Sequence, residues 1–219
     1  MGLARMTRKA RVKQNLQGQE IGNKGALTRA QILKATAVLM EKRSIRDLKV
    51  AEIGGLAGVS TSTFYLYFES VPDAALAVVE ELDQATPEVM AIFAREWMPQ
   101  NVFQNAKAFV QAYISYWDHH HAILRVRNFV ADEGDRRFAE ARRRSADPVF
   151  VALLEKVEHF QKAYTEAPAL HAPSAVSVLM AMLERTAAIV RMQSGHKAKR
   201  PRQIDAAAFL IASVMMGKS

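Results

Sequence analysis

The 219-residue chain has no cysteine. That excludes disulfides, thiolate catalysis and cysteine-ligated metal sites. It also lacks any uninterrupted run of about 18 apolar residues, the length a membrane-spanning helix needs. The basic N-terminus is not followed by an apolar segment, so the pattern of a secretion signal is missing. No stretch alternates apolar and polar residues with the two-residue period of strands. Gly22-Asn23-Lys24-Gly25 has neither the spacing nor the flanking strand of a phosphate-cradling loop. No nucleophile and base stand at a spacing that suggests catalysis. These absences predict a soluble cytoplasmic protein with no membrane association, no cofactor and no enzymatic activity. His119-His120-His121 does not change that expectation. Successive helical residues diverge by about 100°, so three in a row cannot converge on one metal ion.

What is present is half apolar and strongly basic, with a net charge of +8. The charge is uneven. Residues 1–70 hold 12 Lys and Arg against 5 Asp and Glu, and the remaining residues hold 18 against 17. A local excess of this kind suits a polyanion, through neutralisation of phosphates.

Residues 53–68 lie inside that basic segment. One short apolar stretch ends at Ala57-Gly58-Val59-Ser60. Another begins at once with Thr61-Ser62-Thr63 and the cluster Phe64-Tyr65-Leu66-Tyr67-Phe68. Gly58 can take the positive φ of a tight turn, and Ser60 can cap the helix that follows. Ile53, Leu56, Val59, Phe64 and Phe68 fall on the inward faces at helical spacing. Thr61, Ser62, Tyr65 and partly Thr63 then point outward, where hydroxyls can reach base edges and phosphates. The spacing predicts a helix-turn-helix. A plain helical hairpin with amphipathic tyrosines is the alternative.

Thr28-Arg29-Ala30-Gln31-Ile32-Leu33, Ala57-Gly58-Val59-Ser60 and Thr63-Phe64-Tyr65-Leu66-Tyr67-Phe68-Glu69-Ser70 follow one another without gaps. Over residues 28–83 the chain resembles the N-terminal domain of the TetR family of transcriptional regulators. The resemblance implies a homodimer that places its third helix in the major groove of a near-palindromic double-stranded DNA operator. It also implies release by a small effector. The candidate DNA-binding residues are Lys49, Ser60, Thr61, Ser62, Thr63, Tyr65 and Tyr67. Thr61 and Ser62 are expected at base edges. By resemblance, Thr63, Tyr65 and Tyr67 occupy positions that meet phosphates or thymine methyls. Lys49 is a further phosphate contact. The chain departs from the family pattern at Lys49, where a Ser or Thr cap is usual, and at Val71, where Lys is usual. Ala51 stands where some members have a basic base-reading residue.

The predicted architecture is all-α with about nine helices. Residues 1–27 form a disordered basic arm (Arg5, Arg8, Lys9, Arg11, Lys13, Lys24), which either lies along DNA or hangs free. Residues 28–71 form the helix-turn-helix domain, with helices over 28–43, 50–57 and 61–68. Thr28 is the expected first cap, with Ile32, Ala35 and Leu39 facing inward. Gly54-Gly55 inside the second helix is unusual, since each glycine costs about 1 kcal/mol against alanine; the pair either allows close approach of the first helix or leaves this domain loose. A new helix is expected at Ser70-Val71-Pro72-Asp73, opening a second domain over 72–219. Breaks are expected near Pro87, Pro99, Asp118-His119, Gly134, Pro148, Pro168 to Pro173, Gly195 and Pro201.

In the second domain, an aromatic- and methionine-lined cavity is expected from Trp97, Phe109, Val110, Tyr113, Trp117, Phe129, Met180 and Leu183. A plain bundle core is the alternative. Residues 118–123 and 179–186 are similar to segments around a long apolar pocket in a mycobacterial member of the family. There, pocket asparagines align with Met180 and Leu183, which implies a still more apolar ligand here. Glu184-Arg185 can contribute a buried ion pair or a polar edge. Two terminal helices, 173–193 and 203–216, are rich in Ala, Val, Leu, Ile and Met, and 203–216 is apolar on most of its faces, which requires burial on more than one side. Their packing against the same pair in a second copy is the expected dimer interface, against burial within one subunit. The basic linker 195–202 is expected as a solvated loop. A helical carrier of hydrophobic ligands, or a non-specific DNA-binding protein, would each explain part of the chain.

Overall fold

The computed structural model describes residues 14–82, 87–164, 170–192 and 199–217. Among these residues there are nine α-helices and no strand beyond an isolated bridge between Gln14 and Glu20. The chain divides into two compact units, 1–81 and 82–219.

The first unit contains α1 (Asn23–Lys42), a 3-10 turn (Ile45–Asp47), α2 (Val50–Ala57), α3 (Thr61–Tyr65) and α4 (Val71–Glu81). Its core is built by Ile32, Leu33 and Met40 of α1, Ile53 of α2, Phe64 of α3 and Phe68 after it. Phe64 and Phe68 pack with ring centroids 5.7 Å apart. The buried Thr36 satisfies its hydroxyl by donating to the Ile32 carbonyl at 2.8 Å. Arg29 of α1 lies over the Phe68 ring and pairs with Glu81 of α4 at 3.2 Å. Helix α4 therefore belongs to this unit, and the compact unit extends ten residues past the boundary expected at 71. The expected start of α4 is present, and Ser70 caps it: the Asp73 amide donates to the Ser70 hydroxyl at 3.3 Å.

Part of the segment expected as an arm, from Gln14 onward, lies among the described residues. From Gln14 the chain is structured, because the Asn15 side chain accepts from the amides of Gln17 and Gln19 and closes a turn. The Leu16 amide then donates to the Leu66 carbonyl at 2.9 Å. Helix α1 begins at Asn23, so Thr28 is not its cap. Its hydroxyl donates instead to the Lys24 carbonyl one turn back. Arg5, Arg8, Lys9, Arg11 and Lys13 lie outside the described residues.

The second unit consists of α5 (Pro87–Phe93), α6 (Val102–Asp132), α7 (Arg136–Tyr164), α8 (Ala172–Met192) and α9 (Lys199–Met216). Two expected breaks are absent. Helix α6 continues through Asp118-His119 and only kinks, at His120 (φ −115°, ψ 16°). Helix α7 continues through Pro148. Proline there removes one backbone hydrogen bond, but Val149, Leu153, Val157 and Phe160 are buried on the same helix and hold it in place. Gly134 does end a helix, with φ +98°. Pro201 falls within the first turn of α9, where its missing donor costs nothing. Arg200 is not in a solvated loop; it sits in α9 and pairs with Asp118 of α6 at 2.6 Å. Pro168 and Gly195 lie outside the described residues.

Candidate nucleic-acid interface and ligand cavity

The turn between α2 and α3 is fixed by two glycines. Gly58 adopts φ +69° and ψ +31°, the left-handed conformation that glycine reaches without steric cost. Gly54 is buried, and the Val59 amide returns to its carbonyl at 2.9 Å. A Cβ at residue 54 would stand 2.8 Å from the Val59 carbonyl oxygen. The close approach predicted at Gly54-Gly55 is thus made by the turn, not by α1, and it involves Gly54 alone. Gly55 faces open space.

That turn presents a cluster of hydroxyls. Ser60 caps α3, accepting from the Thr63 amide at 3.1 Å. Its oxygen also lies 2.8 Å from the Ser62 hydroxyl and 2.9 Å from that of Thr63. Thr61, Ser62 and Tyr65 are exposed, and Thr63 is half-buried. The Tyr65 ring rests edge-on against Phe64 at 5.6 Å, which leaves its outer end in solvent. Tyr67 is half-buried, and its hydroxyl lies near Gly25 in the first turn of α1. Leu56, expected inside, is exposed. Helix α2 is only eight residues long, and its inward stripe is filled by Ile53, Gly54 and Ala57.

Lys49 precedes α2 and is exposed. Its amide donates to the Glu52 carboxylate at 3.2 Å, and Glu52 also pairs with Arg43 at 2.9 Å. The hydrogen bond from Arg43 and the one from the Lys49 backbone hold the Glu52 carboxyl below its ordinary range.

The second unit contains a cavity of about 460 Å³ walled by α5, α6, α7 and α8. Of the eight residues expected there, Tyr113, Trp117 and Met180 line it. Trp97, Phe109, Val110 and Leu183 belong to the solid core. Trp97 stacks on Phe93 at 5.9 Å and donates its indole N–H to the Ile92 carbonyl, and Phe93 meets Phe109 at 4.8 Å. Phe129 is 36% exposed and does not line the cavity. Periodicity marks an apolar face, but it does not tell which of its residues border empty space. Burial pushes the Tyr113 phenol up to about 12, so it stays neutral.

One end of the cavity is charged. The Glu184 carboxylate accepts from Arg127 at 3.1 Å, from Asn128 at 2.6 Å, and from Arg142 through Nε at 3.2 Å and through NH2 at 2.6 Å. Arg127 is 6% exposed and donates in addition to Ser145 and Asn128. Desolvation lowers its pKa, with the nearby Glu184 carboxylate acting in the opposite sense. The ion pair anticipated at Glu184-Arg185 is therefore made by Glu184 with Arg127 and Arg142, and Arg185 faces solvent. Neither arginine stands out in the sequence, since each belongs to a helix with several basic residues.

His119 and His120 are each engaged by a neighbour on α6. The His119 ring lies 2.7 Å from the Ser115 carbonyl, and His120 packs on Tyr116. No group of three metal-ligating side chains occurs among the described residues.

Residues 89–219 match the family profile of the tetracyclin repressor-like C-terminal domain, and residues 32–70 match that of the bacterial regulatory proteins of the tetR family. The chain belongs to the TetR family. It is a DNA-binding transcription regulator with a helical ligand domain, not an enzyme. Solved structures of similar fold include the fatty acid degradation regulator FadR from Bacillus halodurans. That protein is 16% identical, covers 91% of this chain and 97% of its own, and has a TM-score of 0.62. FadR from Bacillus subtilis, in complex with stearoyl-CoA, is 14% identical over 84% of this chain and 98% of its own, with a TM-score of 0.65. A TetR-family regulator from Shewanella sp. PV-4 is 14% identical over 85% and 96%, with a TM-score of 0.59. No curated protein matches the sequence.

Within the TetR frame, two of the three departures have a local explanation. Lys49 cannot cap α2 with a hydroxyl, but the Glu52 carboxylate takes over part of that work by accepting the Lys49 amide. Val71 is buried in the first turn of α4, so apolar packing replaces a surface cation there. Ala51 is exposed, and nothing in the structure explains it. Among the described residues no helix is long and apolar enough to cross a membrane.

Proposed function

We propose that the protein is a homodimeric cytoplasmic repressor that leaves an approximately palindromic operator when a small effector with an apolar body enters the second unit. The reading rests chiefly on the exposed, hydroxyl-rich start of α3, carried by the segment that holds most of the net charge. Thr61 and Ser62 reach base edges in the major groove, while Lys49, Ser60, Thr63, Tyr65 and Tyr67 serve the phosphate backbone. Tyr113, Trp117 and Met180 hold the effector's apolar part. Binding of effector and of operator oppose each other to the same factor, as linkage requires.

The dimer forms through α8 and α9. Ala207, Ala208, Ile211 and Met215 of α9 are buried within the subunit, yet Phe209 is 62% exposed, Leu210 47% and Val178 of α8 70%. A helix with apolar residues on both sides needs a second surface to cover it, and a second copy supplies one with two-fold symmetry. Phe209→Glu is expected to convert the dimer to a monomer in sedimentation velocity.

The test of function is fluorescence anisotropy on duplexes tiled across the DNA flanking the gene, at two salt concentrations. The expected outcome is one near-palindromic tile bound roughly 10³-fold more tightly than a scrambled duplex. Replacing Thr61 and Ser62 by Ala should remove the preference and leave weak, salt-sensitive binding. Equal binding to all tiles would point to non-specific coating of DNA, and no binding to a carrier.

A further inference from the structure

This inference rests on the cavity being the effector site and concerns what the effector carries at its polar end. Arg142 is held in a graded way. Its Nε and NH2 both donate to Glu184, whose side chain is 18% exposed. Its remaining nitrogen, NH1, donates to Asp132 at 3.0 Å, and the Asp132 side chain is 70% exposed. The first attachment fixes the guanidinium plane against the cavity wall. The second is an ion pair in contact with water, which contributes little. NH1 is thus a charged donor beside the cavity, positioned by a firm partner and occupied by a loose one.

Around it, Tyr116, Trp117, Val149 and Met180 provide an apolar wall. A ligand that fills this wall and ends in a neutral group leaves the Arg142–Asp132 pair as it is and gains only burial. A ligand that ends in a cation meets Arg127 and Arg142, and the carboxylates beside them, Asp132 and Glu184, are already engaged by those arginines. A ligand that ends in a carboxylate can take the place of Asp132 on NH1, while Asp132 turns to solvent, where it is already mostly hydrated. One anion replaces another on the same guanidinium, so no unpaired charge is buried. The charge-assisted bond then forms in a drier setting than the one it replaces.

We propose that the effector is an amphiphilic acid, its apolar body along Trp117, Tyr116 and Met180 and its carboxylate on Arg142 NH1 in exchange for Asp132. Asp132 acts as an internal competitor for the anion, and Glu184 positions the guanidinium that receives it.

The experiment is isothermal titration of the full-length protein with three probes of equal chain length: decanoate, 1-decanol and decylammonium. Decanoate is expected to bind roughly 10-fold more tightly than 1-decanol, with decylammonium weakest. Asp132→Asn removes the competitor and should raise the acid-to-alcohol ratio about 3-fold. Arg142→Gln should collapse the ratio toward one. Because Asp132 is a surface residue, its variant keeps the test decisive even where the Arg142 variant folds poorly. A ratio near one in the unmodified protein, a ratio that falls in Asp132→Asn, a ratio that survives Arg142→Gln, or failure of all three probes to bind would each overturn the assignment. Operator anisotropy on the same samples separates the two readings. Specific operator binding with no acid preference removes the headgroup and leaves the regulator. Acid preference without operator specificity removes the regulator and leaves the site.

Discussion

The first unit, the head of the molecule, carries most of its candidate site on one short run, Ser60 to Tyr65, whose polar groups are mostly in solvent. The larger unit assembles its cavity from residues as far apart as Val89 and Glu184, and its charges are paired before any ligand arrives. The difference has an energetic consequence. Hydroxyls at the start of α3 trade water for DNA partners, so removing one alters binding more than folding. The guanidinium of Arg127 has already left water and depends on its partner, so removing that partner alters folding first. Substitutions can break or sharpen this contrast.

The largest effect is expected from Glu184→Ala. It leaves the nearly buried Arg127 without its carboxylate, and loss of one partner from such a pair costs about 3 kcal/mol or more. Denaturant unfolding should show the loss in the second unit, with the head unaffected. A change below about 1 kcal/mol, the range of exposed pairs, would mean that the network is a solvated edge and that the two units do not differ in this way.

Next comes Gly54→Val. Its Cβ would stand 2.8 Å from the Val59 carbonyl oxygen, a backbone atom that cannot step aside without opening the turn. Overpacking of this kind costs about 1–3 kcal/mol, and operator binding should be lost with it. Gly55→Ala is the control, because open space at that position lets the higher helix propensity of alanine stabilise α2 by up to about 1 kcal/mol. Equal behaviour of the two glycines would show that the turn is not the constraint. Ser60→Ala ranks lower. It removes the cap on the Thr63 amide, worth about 1 kcal/mol, and unties the hydroxyls of Ser62 and Thr63. Operator affinity should fall by more than stability does.

The same contrast explains what could be read from the sequence. The helix-turn-helix is local: Gly58, Ser60 and the inward Phe64 act on neighbours within a few residues, so their spacing nearly determines their geometry. The family resemblance extended this to the whole fold. The cavity is not local. Trp97, Phe109, Val110 and Leu183 share the apolar period of Tyr113, Trp117 and Met180, and only packing separates core from wall. Arg127 and Arg142 come from α6 and α7, and they acquire meaning only when Glu184 of α8 falls between them. The short N-terminal turn was hidden for a related reason. Its anchor is a backbone bond from Leu16 to Leu66, which leaves no side-chain signature.

The smallest expected effect concerns pH, and it belongs to the head. Glu52 is half-exposed, and the hydrogen bond from Arg43, with that from the Lys49 backbone, lowers its pKa in the folded state. A carboxylate with a lowered folded pKa contributes stability that is present above its unfolded value, near 4.5. That contribution is lost as pH falls through the folded value. The head should therefore weaken on the acid side, and Glu52→Gln should flatten that part of its unfolding profile while leaving the profile near neutrality unchanged. A direct check is the Glu52 side-chain carbon shift followed by NMR through an acid titration. A midpoint at or above the ordinary glutamate value would remove the Arg43 and Lys49 contacts from solution, and with them the explanation of how α2 starts without a hydroxyl cap.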